Sequence, residues 1–74
     1  MNFKYNKLYG RLAELRMTQD EYAQKLGISR TSLYKRLNSQ AFFTQDEILK
    51  NVEILKISKD EIPEYFFEVN VMIS

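Results

Sequence analysis

Seventy-four residues, 45% of them hydrophobic, make one small domain rather than two. There is no cysteine and no histidine, which removes disulfides, thiolate zinc sites and Ser-His or Cys-His catalysis as options. The net charge of +1 hides an asymmetry: residues 1–37 carry eight Lys/Arg against three Asp/Glu, and residues 38–74 carry three against seven, so one half suits a polyanion and the other a different task.

A first helix is predicted over about 4–16, with Tyr5, Leu8, Leu12 and Leu15 on one face at helical spacing. Gly10 inside it costs about 1 kcal/mol relative to alanine, which points to a close helix contact there. Thr18-x-x-Glu21 is a capping box that opens a second helix over 19–26. Met17 staples to Tyr22 ahead of it, Tyr22, Ala23 and Leu26 face inward, and Gly27 ends it in the left-handed conformation. Ser29 caps a third helix over 30–38, with Leu33 and Leu37 inward. After the loop NSQAFF, Thr44-x-x-Glu47 is a second capping box, with Phe43 stapled to Ile48. It opens a fourth helix over 45–56 that buries Ile48, Val52 and Leu55.

Ser58-x-x-Glu61 has the form of a third capping box, but a helix begun there would enclose Pro63. A cap at Asp60 would put Pro63 in the first turn, where no N–H is needed, so a short helix or turn is expected near 61–66. Beyond it, Phe67, Val69, Val71 and Ile73 alternate with Glu68, Asn70 and Met72, the period of a short strand. A lone strand is not stable, so this one must pair with a second copy of the chain, pack back on the helices, or else fray. The fold class is therefore all-α, four to five short helices with a short C-terminal strand. Its working division is 1–57 as the helical domain and 58–74 as a tail.

The stretch TQDEYAQKLGISRTSLYKRL, with Ala23, Gly27 and Leu33 at its crossing points, resembles the helix-turn-helix of phage Cro and repressor proteins and of the wider XRE-like family. The resemblance covers about residues 4–57 and implies a lambda-repressor-like domain whose third helix enters the major groove. With Leu33 and Leu37 inward, Thr31 and Lys35 lie on the opposite face. Arg30 sits in the first turn, the end that approaches base edges in this motif. Arg30 and Lys35 can donate to guanine O6 and N7, and the Thr31 methyl can meet a thymine methyl, which makes these three the candidate base contacts.

Candidate phosphate contacts are Gln19, which resembles the family's phosphate-donating position at the start of the second helix, with Ser32, Tyr34, Arg36, Asn38, Gln40, Thr44 and Gln45. Tyr34 reads equally well as a half-buried core residue. Family proteins usually dimerise on DNA over half-sites roughly 34 Å apart. The tail then supplies candidate dimer contacts in Phe66, Phe67, Val69 and Val71.

The expected function is a small phage or prophage Cro-like repressor that reads a pseudo-palindromic double-stranded operator as a homodimer. The alternative is an antirepressor or modulator that keeps the fold and docks on a repressor protein, working through the acidic half and the apolar tail. Catalysis is not expected. Asp46-Glu47 and Asp60-Glu61 are adjacent acids at helix starts, where they suit the positive dipole end, and no glycine-rich phosphate loop is present. No metal, cofactor or small-molecule substrate is expected. MNFKYNKLYG has no apolar signal core and no run is long enough to span a membrane, so a cytoplasmic location is expected.

Overall fold

The computed structural model describes residues 2–69, so Val71 and the last part of the expected strand lie outside the described residues. The elements run α1 (Asn6–Glu14), α2 (Gln19–Leu26), α3 (Arg30–Leu37), α4 (Gln45–Ile54), a 3₁₀ turn (Lys59–Glu61) and α5 (Ile62–Phe66). All begin within two residues of their predicted starts, and the all-α expectation of four to five helices holds. No described helix is long and apolar enough to cross a membrane.

Both Thr-x-x-Glu boxes form as read. The Thr18 hydroxyl accepts the Glu21 N–H at 3.1 Å, and the Glu21 carboxylate accepts the Thr18 N–H at 3.0 Å. Thr44 and Glu47 repeat the exchange at 3.1 and 3.2 Å. The third box forms too. Ser58 donates its N–H to Glu61 at 2.9 Å, but the turn it caps is 3₁₀, and Pro63 falls in the first turn of the following α5. Changing helix type between Ser58 and Pro63 lets the box and the proline coexist.

Four helices stop by one device. Ahead of each break a 6→1 hydrogen bond closes the last turn: Met17 N–H to Leu12 O, Ile28 to Ala23, Gln40 to Lys35, and Ile57 to Val52, at 2.9, 3.0, 2.8 and 3.1 Å. The residue inside each closure is left-handed: Arg16 (φ 54°), Gly27 (φ 77°), Ser39 (φ 60°) and Lys56 (φ 54°). This is the Schellman arrangement, and glycine is its cheapest occupant.

The core gathers Tyr5, Leu8 and Leu12 of the first helical segment, Tyr22, Ala23 and Leu26 of α2, Leu33 and Leu37 of α3, and Phe43, Leu55 and Ile57. Tyr65 and Phe66 join the same core, each under 5% exposed. Phe43 is its aromatic hub, edge-on to Tyr5 at 5.7 Å and to Phe66 at 5.2 Å between ring centres. The tail returns to the N-terminal segment. Lys4 donates its N–H to Glu68 O at 2.7 Å, and Phe3 and Val69 form an isolated antiparallel bridge.

Two expectations are corrected. The inward line of α4 is Glu47, Asn51 and Leu55, with Ile48 and Val52 half-buried at its sides. Polar residues can hold the centre because each finds a polar partner on α2 or α3. Gly10 meets no neighbour: a Cβ built there has nothing within 4 Å. It faces solvent, and no helix packs against it.

The two glycines therefore predict opposite outcomes. Gly10→Ala, on open helix surface with no positive φ, raises stability by about 0.5–1 kcal/mol. Gly27→Ala, held at φ 77°, lowers it by about 1–2 kcal/mol. Thermal melts of the two variants check both signs. The capping carboxylates add a pH dependence. Backbone N–H groups at Thr18 and Ser58 hold Glu21 and Glu61 below their ordinary value of 4.5. A depressed carboxylate stabilises above its unfolded value and loses that contribution as pH falls through the folded one. Melting temperature should thus fall as pH drops below 4.5, and Glu21→Gln with Glu61→Gln, which keep the caps uncharged, should flatten that acid limb in melts across it.

Candidate functional site

The face prepared by α2 and α3 is the one the sequence singles out. A turn of Gly27, Ile28 and Ser29 joins the helices. Ser29 accepts the Ser32 N–H at 3.0 Å and starts α3 at Arg30. Leu33 and Leu37 point into the core, so Thr31, Tyr34, Lys35 and Asn38 are exposed.

Of the three candidate base contacts, Thr31 and Lys35 stand free on that surface, and the Lys35 ammonium makes no hydrogen bond or ion pair among the described residues. Arg30 does not stand free. It donates to Asp20 Oδ1 at 2.7 Å and to Gln19 Oε1 at 2.9 Å, folding back over the start of α2. Two predicted DNA contacts, Arg30 and Gln19, thus meet each other, with a carboxylate beside them. The pair is exposed, so it contributes little to stability, but its charges cancel at the position meant for an anion.

The phosphate-contact set divides in a similar way. Arg36 is half-buried and fully engaged: Nε and Nη2 grip the two Glu47 oxygens at 2.7 and 3.0 Å, and Nη1 donates to Ser32 O at 3.1 Å. It is a strut between α3 and α4, not a free cation. Ser32 accepts the Ser29 hydroxyl at 3.0 Å. The Asn38 amide turns back to Tyr34 O at 2.8 Å and closes the end of α3. The Thr44 hydroxyl is held in its cap. Tyr34 is 59% exposed, which excludes the core reading. Gln40 and Gln45 are exposed.

The tail residues also separate. Phe66 is 3% exposed inside its own chain, so it cannot insert into a partner. Val69 is half-buried against Phe3. Phe67, 52% exposed, remains on the surface.

Sequence reading missed what holds this face in place. Asn51 is fully buried; it accepts a short hydrogen bond from the Tyr22 hydroxyl and donates to Glu47 O at 2.7 Å. Burial raises the Tyr22 phenol above its ordinary value of 10.0, so it stays protonated as the donor. Every buried side-chain polar atom among the described residues has a partner. The only signal was an Asn four residues after a capping Glu, in a helix otherwise read by its aliphatic residues.

The family model described as Protein of unknown function (DUF739) matches residues 1–69. No curated protein matches the chain. Among solved structures, the modulator of repression of the temperate bacteriophage TP901-1 from Lactococcus lactis is similar at 35% identity and a TM-score of 0.75, over 95% of this chain and 97% of that one. The resemblance to Cro and XRE-like proteins is met in its broader part: the solved relative is a small phage regulator, while the matching family's description names no helix-turn-helix.

The polar links give a stability test. Glu47→Ala leaves the Arg36 guanidinium without its carboxylate at side-chain exposures of 15% and 10%, and should cost about 2–3 kcal/mol, below the range for a fully buried pair. Tyr22→Phe removes the donor to Asn51 and should cost about 1–3 kcal/mol. Denaturant midpoints of both variants measure the losses.

Proposed function

The chain belongs to the DUF739 family, and on that premise we propose that it is a phage regulator of the modulator-of-repression type, docking on a repressor protein in the cytoplasm. The observation that carries this is the 35% identity to a phage modulator of repression over nearly the whole of both chains.

The electrostatics of the α2–α3 face support it. DNA affinity comes mainly from cations that displace condensed counterions from phosphates. Of the three cations of α3, Arg30 is paired with Asp20 and Arg36 with Glu47, which leaves Lys35. The start of α2 presents Asp20 and Glu21 beside Gln19, where a phosphate would have to approach. This is a helix-turn-helix surface with most of its positive charge cancelled from within. Recognition of another protein tolerates that, because protein interfaces draw on shape and apolar contact.

A direct operator-binding reading keeps one specific support, the exposed Thr31 and Lys35 on the outer face of α3. The two readings part in one experiment. The chain is titrated separately into the repressor of its own phage and into duplex DNA from that phage's switch region, at several salt concentrations. The expected result is a complex with the repressor and no specific complex with the duplex. A duplex complex formed by the chain alone, weakening steeply with salt and losing selectivity at one base position in Arg30→Ala, would overturn the proposal in favour of a Cro-like repressor.

A further inference from the structure

Away from the α2–α3 face, the chain exposes apolar side chains that its own core does not use. Phe42 is 67% exposed, Leu49 54% and Phe67 52%. They form one surface. Phe3 lies edge-on to both Phe42 and Phe67, at 6.0 and 6.4 Å between ring centres. A recess of about 140 Å³ is lined by Phe3, Phe42, Ile48 and Phe67, and a second hollow runs from Phe67 and Ile48 to Leu49 and Gln45. Three separate segments, the N-terminal segment, the α3–α4 loop with the start of α4, and the residue after α5, converge there. Exposed aromatic and aliphatic groups around a recess are the usual anchors of a protein interface.

The charge beside the patch narrows the occupant. Asp46, Lys50 and Glu53 border Leu49, while Glu68, which follows Phe67, shares a hollow with Lys4 and Lys7. Lys50 reaches away from Asp46 and Glu53, its Nζ donating to Leu26 O at 3.3 Å over the end of α2. Asp46 and Glu53 make no ion pair among the described residues, so the border at Leu49 is acidic. A second copy seated symmetrically would bring the same patch to itself and set these acids against each other, which is unfavourable. The three exposed side chains also offer only on the order of 300 Å², against roughly 800 Å² per partner in a standard interface. The remainder must come from the charged border, and that requires opposite charge.

We infer that the surface formed by Phe42, Ile48, Leu49 and Phe67 is the docking site for a partner protein with an apolar centre flanked by Lys and Arg. The inference rests on the repressor-docking reading and gives it a place on the molecule. Phe42 and Leu49 act as anchors that enter the partner, and Asp46 and Glu53 orient it and speed its approach.

The test uses the full chain and the repressor of its own phage. Binding is measured by calorimetry for the wild type, Phe42→Ser, Leu49→Ser, the pair Asp46→Asn with Glu53→Gln, and Lys35→Ala as a control on the α3 face. All these side chains are exposed, and circular dichroism verifies that each variant is folded. Phe42→Ser and Leu49→Ser should each weaken binding about tenfold or more. The acid pair should weaken it less and reduce its salt dependence, and Lys35→Ala should leave it unchanged. Amide shift changes on adding repressor should centre on residues 42–49 and 67. If wild type binds but the patch variants bind equally well and the shifts centre on α3, this inference is wrong and the docking proposal survives. If wild type does not bind the repressor at all, both fail. If the patch variants instead abolish self-association in sedimentation, the surface joins two copies and the inference is overturned.

Discussion

Two polar residues one turn apart on α4 hold this molecule in register. The Glu47 carboxylate accepts the Thr44 N–H that opens α4 and receives the Arg36 guanidinium of α3. Asn51 receives the Tyr22 hydroxyl of α2 and returns its amide to Glu47 O. Aliphatic side chains at those positions would bury comparable area, but their contacts have no direction. Hydrogen bonds fix distance and angle, so α2 and α3 are each pinned to α4 in one orientation, with a buried polar group as the penalty for slipping. The angle between α2 and α3 is thus set from the side, by a third helix, as well as by their own short turn.

That architecture has a consequence for the α2–α3 surface. Arg36 cannot serve both as a strut and as an anion ligand, and Arg30 turns back to Asp20 and Gln19 instead of outward. The helical pair keeps its shape while its cationic character declines. Meanwhile the acidic second half of the chain is free to carry an apolar patch with like-signed borders. The positive and negative halves noticed in composition meet in part inside the fold, where Arg36 engages Glu47, while Asp46 and Glu53 stay on display.

Helix beginnings were legible from sequence because side chains write them. A Thr with a Glu three residues on has few other uses, and both such boxes open helices at the predicted residue. Helix ends were legible only at Gly27. The same left-handed closure at Arg16, Ser39 and Lys56 carries no mark in residue type, since it is driven by backbone hydrogen bonds; Arg16 and Lys56 point to solvent, and the Ser39 hydroxyl accepts the Phe3 N–H. The inner face of α4 was misread because Glu47 already had a complete explanation as a cap, and aliphatic periodicity could not show its second bond. The exposed side of α3 was correctly assigned by helical projection, which gives direction. It could not show that Arg30 lies over α2, since that depends on a neighbour ten residues away. The surface of Phe42, Leu49 and Phe67 was invisible for a related reason: it is assembled from segments that only folding brings together.

The meeting of Phe3 with Val69, and of Lys4 with Glu68, makes the described chain enter and leave the domain through one doorway, beside Phe67. A label attached at residue 2 or at residue 69 sits next to the aromatic surface and can shade it. A label at either end of the described chain is therefore not a neutral handle on this protein, and one placed on the solvent side of α1, at Gly10 for instance, is the less intrusive choice.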